Sequence, residues 1–423
     1  MDIPEFDLGL FRVLKALVRP LLVLFFAIED NRAEALAGLE GPFVLLGNHS
    51  NWYDPFILVA ESDGPLYFVA TEDLFTLFPY GLFIGRLGAI PKVKFLPDLD
   101  TVKKLFAIRD AGHPVGIFPE GERNWDGRTL PFLPATLKLV RKLREPVAVV
   151  TLRGAHLSFP RWAIFPRRGK IVVDYRLIVS REEARSLSGE EVEARILAAF
   201  SHDDVEWNRG ERVAFRGPFR TAGIEALLYL CPDCRGLGTI GWAMGARVRC
   251  RSCGAEHHLD MYGKLRRVGH GVAMVGSGGD GLAPPPSFAD TGSWVDWQKA
   301  TLPGLLEGRA VGGEGSALLV EAGMRLYRRE RAGGKVRLAL VSKGSLELFH
   351  DRISFAGKGE SLDFPLPELA GVNVIYRNYL DFASGGQLYR LVPRSGSRCI
   401  LVFLHAIRYL MKREGNETMG SEG

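Results

Sequence analysis

Between residues 40 and 200, short apolar runs alternate with segments of helical period. The runs PFVLLG (42–47), LYFVA (66–70), GAIPKV (88–93), PVGIFPEG (114–121), PVAVVTL (146–152) and KIVVDYRLIV (170–179) have strand length, and most stay apolar at successive positions. Such runs predict strands buried on both faces, as in a largely parallel sheet. Between them, PFILVAES (55–62), LDTVKKLFAIRDAG (99–112) and PATLKLVRKLR (134–144) space their apolar residues as helices do. An amphipathic stretch over 181–200 closes the region. The alternation predicts an α/β domain over residues 31–222, with a mixed, mostly parallel sheet flanked by helices.

Residues 1–30 have a different pattern. The longest uncharged apolar run, Pro20–Ile28, is nine residues, whereas a spanning helix needs about 20. Acidic residues at the start and the lack of a small-residue cleavage site argue against a signal peptide. On a helical wheel Arg12, Lys15 and Arg19 share one stripe, opposite Leu10, Leu14, Leu17, Leu21 and Phe25. This predicts an interfacial helix with its basic stripe toward lipid headgroups; a helix packed on the domain core is the alternative. The expected location is peripheral, on the cytoplasmic face of the membrane.

Residues 275–293, rich in Gly, Pro and Ser, read as a linker. Beyond it, residues 294–415 show short strand-like runs with turn residues. They begin with the separate runs SALLVE and MRLYRRE and end with the helical ILVFLHAIRYLMKRE. This predicts a small β-barrel or sandwich with a C-terminal helix. The meander resembles a pleckstrin-homology-like or GRAM-like domain, which implies lipid or membrane docking; a structural appendage reads the same way.

With 423 residues, 47% hydrophobic, the chain is long enough for two or three cored domains. Its net charge of +5 suits an anionic membrane surface but is too small to point to nucleic acid.

Chemistry concentrates at the strand exits. NHSNWYDPF (48–56) follows PFVLLG directly. A turn there can bring Asp54 to one ring nitrogen of His49, fixing the tautomer and leaving the other nitrogen as a base for an alcohol. Asp54 as a helix N-cap before Pro55 is the structural alternative. GIFPEGERNWDGRTLPF (116–132) places Glu120, Gly121 and Arg123 after another strand, where a carboxylate and an arginine suit contacts to a phosphate and its hydroxyls. A solvated surface turn fits the same residues.

Together, NHSNWYDP and FPEGERNWDGRTLPF resemble the H-x-x-x-x-D and F-P-E-G-T-R motifs of the glycerolipid acyltransferases, the lysophospholipid acyltransferase superfamily. LFTLFPYGLFIGRLGAIPKVK is similar to the family's second block, and PVAVVTLRGAH stands in place of its fourth. The resemblance covers roughly residues 10–200. It implies that His49 is the general base and Asp54 orients it. An acceptor hydroxyl would attack an acyl thioester of coenzyme A or acyl carrier protein. Lys92, Lys94, Glu120, Gly121 and Arg123 would serve the lysophospholipid, by default 1-acylglycerol-3-phosphate. The chain departs from the pattern at Glu122, where the family has Thr, at Lys92 and Lys94, where it has Arg, and at Val149, where it has Pro.

Cys231, Cys234, Cys250 and Cys253 form two C-x-x-C pairs with fifteen residues between them. Two tight turns of this kind deliver four thiolates to a structural zinc. The segment 226–262 resembles a rubredoxin-like zinc ribbon. His257 and His258 have no place in a complete thiolate set and read as surface residues. Cys399 reads as a buried free thiol. The leading expectation is a membrane-associated O-acyltransferase acting on a lysophospholipid. A lipid-binding or recruitment protein that has lost turnover is the competing one.

Overall fold

The structure, a computed structural model, describes residues 3–92, 98–269, 285–310, 316–332, 335–357, 361–394 and 399–413. The chain divides into two compact units. The first comprises the described residues up to Arg161 together with Pro166–Gly217, and the second holds Trp162–Phe165 and the described chain from Pro218 onward.

In the first unit the elements run α1 (Leu8–Phe26), β1 (Glu29–Asp30), α2 (Arg32–Ala35), β2 (Val44–Gly47), α3 (Asp54–Glu61), β3 (Tyr67–Thr71), β4 (Ile90–Lys92), α4 (Leu99–Asp110) and β5 (Val115–Ile117). They continue with α5 (Pro134–Leu143), β6 (Val147–Arg153), α6 (Ala155–Ser158), β7 (Val172–Val179), α7 (Glu183–Ser186), α8 (Gly189–Ala199) and α9 (Asp204–Glu211). The strands form one sheet in the order β1-β7-β6-β2-β5-β3-β4. Neighbours from β6 to β4 pair in parallel, and β7 runs antiparallel to β6. The sheet is therefore mixed and mostly parallel.

Side-chain alternation divides its core in two. Val44, Leu46, Val147 and Val149 face the layer built by α4, α5 and α8. Leu45, Ala148 and Val150 face Leu22 and Phe26 of α1 and Ile57 and Leu58 of α3. Period-2 geometry sends successive residues to opposite faces, and a sheet covered on both sides makes the whole run apolar. The parallel strands β2, β5, β3 and β4 end along one edge, where α/β folds collect their ligand-binding loops.

Helix α1 corrects the expected orientation of its cations. Lys15 Nζ donates to Ser62 O, and Arg19 donates from Nε and Nη2 to Glu61 Oε2 at 3.1 and 2.9 Å. Two of the three cations thus face α3 rather than headgroups. The reason is local. Glu61 is a buried carboxylate at the C-terminus of α3, where the helix dipole disfavours an anion. The outward face is apolar instead: Val13, Leu17, Leu21 and Leu24 are each more than half exposed. Among the described residues no helix is long and apolar enough to cross a membrane.

The second unit begins with an antiparallel sheet of β8 (Ile240–Ala243), β9 (Arg247–Cys250), β10 (Glu256–Leu259) and β11 (Leu265–Gly269), in the order β11-β10-β9-β8. Helix α10 (Thr291–Ala310) starts inside the stretch read as linker, of which 275–284 lie outside the described residues. Its Trp294 donates to Leu230 O and packs against His257 at 4.7 Å between ring centroids, so His257 is buried at 2% exposure rather than on the surface.

Seven strands follow, β12 (Leu319–Ala332), β13 (Lys335–Leu348), β14 (Arg352–Gly357), β15 (Ser361–Pro365), β16 (Ala370–Ile375), β17 (Tyr379–Ser384) and β18 (Gln387–Pro393), and then α11 (Leu401–Arg413). They form an antiparallel sheet ordered β15-β14-β13-β12-β18-β17-β16. The runs read as two strands before Ala332 are one. Gly323, at φ 73°, absorbs a bulge between Ala322 and Met324, and the strand continues past it. Cys399 is buried, and its Sγ lies 3.1 Å from Ala226 O.

Candidate functional site

β2 ends at Gly47, and the next seven residues fold back so that Asp54 opens α3. One carboxylate oxygen gathers three groups. Asp54 Oδ2 lies 3.0 Å from His49 Nδ1 and accepts the backbone N–H groups of Ser50 and Asn51 at 2.8 and 2.7 Å. Asp54 is wholly buried, while the His49 side chain is 22% exposed. Asp54 is not the N-cap; that place belongs to Tyr53, and the Asp54 carboxylate reaches back into the loop from the first turn. The helix N-terminus and two N–H donors favour its anion. The anion in turn holds a proton on Nδ1, so the lone pair resides on Nε2. The imidazole stacks on Phe118 at a centroid distance of 4.3 Å, which fixes its plane.

The loop after β5 clamps this arrangement. Glu120 Oε1 accepts from His49 N at 2.8 Å and Oε2 from Leu130 N at 2.7 Å. Asn124 N donates to His49 O at 2.9 Å. The expected contact of Glu120 with a phosphate is therefore corrected: both its oxygens are engaged by backbone, and the residue is 2% exposed. Burial pushes its carboxyl up to about 8, against the pull of the two N–H donors. Gly121 adopts φ 73°, and a Cβ there would meet Leu133 at 2.5 Å, so packing already demands glycine at this turn.

Arg123 lies over the Trp52 ring, 5.4 Å from its centroid. Glu122, the departure from Thr, pairs with Arg161 at 2.7 Å, and both side chains are nearly buried. Arg161 also lies over Trp125 at 4.2 Å and donates to Arg123 O. Lys92 ends β4, three strands from β2, or about 14 Å along the sheet edge. Desolvation lowers its ammonium below the usual lysine range, while Asp98 pulls it back. Lys94 lies outside the described residues.

Sequence reading missed the buried amides that hold the loop. Asn48 Oδ1 accepts from Leu152 N, Asn51 Nδ2 donates to Ala155 O and Ser158 Oγ, and Asn124 Nδ2 donates to Ser50 Oγ. The available signal was the polar run N-H-S-N directly after a buried strand, since such residues need partners when enclosed. Proximity of His and Asp alone is not diagnostic. His202 Nε2 lies 2.6 Å from Asp204 Oδ1, but that side chain is only 9% exposed, and Asp204 is occupied by Gly154 N and His156 N.

Aromatic contacts join the loop to exposed apolar surface on two sides. Tyr53 meets Phe26 of α1 at 5.6 Å. Trp52 donates to Tyr80 OH at 3.1 Å, and beside Tyr80 stand Phe78 and Leu82, 80% and 67% exposed.

In the second unit the four cysteine sulfurs lie within 4.8 Å of one another. Cys231–Cys253 and Cys234–Cys250 are each 3.7 Å apart, close to the edge of about 3.8 Å for a tetrahedron of Zn–S bonds near 2.3 Å. The two knuckles match: Cys231 O accepts from Arg235 N and Cys250 O from Gly254 N. Arg235 and Gly254 both take positive φ, 58° and 80°, so glycine fills that position in only one knuckle. The donor set and spacing suit a closed zinc site.

Comparison with known proteins returns to the first unit. The chain is 28% identical over 139 residues to a chloroplastic 1-acyl-sn-glycerol-3-phosphate acyltransferase, BAT2, of Brassica napus, covering 32% of this chain and 40% of that protein. It is 26% identical over 124 residues to a 1-acyl-sn-glycerol-3-phosphate acyltransferase of Borreliella burgdorferi, covering 29% and 50%. The chain therefore spans half or less of these relatives. The crystal structure of the acyltransferase PlsC from Thermotoga maritima matches 45% of this chain and 80% of its own, at 21% identity and a TM-score of 0.36. Residues 26–153, which carry β2, His49, Asp54 and Glu120, match the family model described as Acyltransferase.

Proposed function

We propose that the first unit is an O-acyltransferase that moves a fatty acyl group from an acyl thioester, on coenzyme A or acyl carrier protein, to the hydroxyl of a lysophospholipid. The default acceptor is 1-acylglycerol-3-phosphate, after which both relatives are named. One observation carries the reading: a partly exposed imidazole is held through Nδ1 by a buried carboxylate that two backbone N–H groups also fix. In this reading the acceptor hydroxyl attacks the thioester carbon while its proton passes to His49 Nε2. The tetrahedral intermediate then collapses, and the leaving thiolate takes that proton. Arg123 and Lys92 are the cations proposed for the phosphate. Glu120 positions the His49 backbone. The Glu122 departure does not favour a non-catalytic protein, because Arg161 accommodates it.

The apolar face of α1 and the exposed residues beside Tyr80 flank the loop, which supports work at a membrane surface, with lipid chains entering from the bilayer side. In the second unit, the four cysteines are proposed to hold one structural zinc, and the seven-stranded sheet with α11 a lipid-docking domain.

The test is turnover of the purified protein on vesicles, with labelled acyl-coenzyme A and a panel of lysolipids. His49→Ala should lose about 10²–10⁴-fold without losing fold. Unchanged turnover would remove the base assignment.

A further inference from the structure

The four-stranded sheet of the cysteine module carries an arrangement that its own packing does not explain. Across β11, β10 and β9, Arg266, His258 and Arg247 stand directly opposite one another. Two guanidinium groups thus flank one imidazole in a single cross-strand row that contains no carboxylate. In the next row one carboxylate, Glu256, serves both Arg247 and Arg249, at 3.4 and 3.5 Å, and both arginines remain more than half exposed. Arg251 lies over Gly241, where a Cβ would sit 2.7 Å from its guanidinium. Among the described residues, Arg251 and Arg266 meet no carboxylate.

The Arg247–His258–Arg266 row stands at the hairpin end of the sheet, and that end carries an apolar tip, with Trp242, opposite Val248, projecting from the other face. The hairpin between β8 and β9 presents Trp242 and Met244, 39% and 74% exposed. Trp242 continues into Phe219 at 6.2 Å and Phe219 into Phe165 at 5.4 Å, both also more than a third exposed. Single exposed apolar residues need no explanation, but a contiguous aromatic patch does.

We propose that this end of the sheet, with the Trp242–Met244 tip leading and Arg247 and Arg266 beside it, docks end-on on an anionic lipid surface. The chemistry fits that occupant in two respects at once. Tryptophan and its apolar neighbours settle at the headgroup boundary, and arginines beside them reach anionic headgroups while their stems stay along the apolar surface. An acidic protein or a nucleic acid would use the arginines but would leave the Met244 tip without a role. The surface does not depend on the acyl-transfer reading: it is judged by vesicle partition, whereas that reading is judged by turnover.

The experiment measures partition of the full chain into vesicles of phosphatidylcholine alone and with one third phosphatidylglycerol. The protein carries Leu17→Ser, Leu21→Ser and Leu24→Ser, which make the exposed face of α1 polar. The anionic-to-neutral ratio should fall about fivefold per arginine in R247A/R249A/R266A and persist in R247K/R249K/R266K. W242S/M244S should weaken binding to both vesicle types. Zinc content is the folding control. If the alanine variant loses zinc, the parent decides the matter: its ratio must shrink as salt rises, and a salt-independent ratio overturns the proposal. So does an unchanged ratio in a zinc-replete alanine variant, or loss of duplex-DNA binding by that variant with the vesicle ratio intact.

Discussion

The loop at 48–54 and the cysteine cluster at 231–253 both bring reactive side chains together from short spacings, and they differ in what completes them. At the loop the protein's own groups hold Asp54 Oδ2 and both Glu120 oxygens. Asp54 is neutralised by two N–H groups, a helix start and an imidazole, and Glu120 and Asn124 hold the His49 backbone from the neighbouring strand exit. At the cluster, matched knuckles converge four sulfurs within 4.8 Å of one another, near tetrahedral spacing. The first site is ordered by its own hydrogen bonds, and the second is suited to ordering by an ion. Pre-organisation is thus internal at the loop proposed for catalysis and external at the cluster proposed to hold a metal.

The comparison can be broken in four places. Metal removal should have the largest effect. Structural zinc is worth about 10–16 kcal/mol in small modules, so chelation should expose the amides of residues 229–269 to rapid hydrogen exchange. Metal analysis should give one zinc per chain, and slow exchange after chelation would show that the protein alone orders the cluster. Next is Asp54→Asn. It keeps the volume and an acceptor for the loop N–H groups but loses the charge that sets the His49 tautomer. Turnover should fall about 10³–10⁴-fold while unfolding in urea changes little; full activity would mean that the pair is architectural.

A smaller effect belongs to Arg161. Breaking a buried pair leaves a stranded charge costing about 3–5 kcal/mol, so R161A should lower the urea midpoint clearly. The double variant E122Q/R161M should recover most of it, and an equal loss in both would mean that the pair does not hold the Arg123 loop. The smallest effect is the pH response of Glu120. Its folded-state value of about 8 lies above its ordinary value of 4.5, so in that window the folded state holds more protons than the unfolded state. Stability should therefore fall as pH rises from about 4.5 to about 8. E120Q should flatten that slope in denaturation series, and parallel profiles would show that Glu120 stays ionised when folded.

Much of this could be read along the chain because it is local. The strand runs of the first unit were legible since a sheet covered on both sides keeps β2 and the Val147–Val150 part of β6 apolar at every position. His49–Asp54 was legible because five residues span one turn, and the cysteine pairs because a knuckle is a four-residue object. Glu120 was misread. Its position after a strand looks like that of a ligand-binding carboxylate, and only the approach of His49 N from 71 residues away shows that both oxygens are spent on backbone. His257 was misread for a similar reason, since Trp294 of α10 covers it.

The chain by itself therefore determined the sheet-forming runs, the two short motifs and the amphipathic first helix, each set by neighbours within a turn or two. Tertiary structure alone decided which way that helix faces, because Glu61 and the Ser62 carbonyl at the end of α3 draw Arg19 and Lys15 inward and turn the leucines out. It also decided which polar residues act as struts and which arginines of β9 and β11 flank His258 of β10. Those outcomes depend on burial and register between segments far apart in the chain, and no local pattern carries that information.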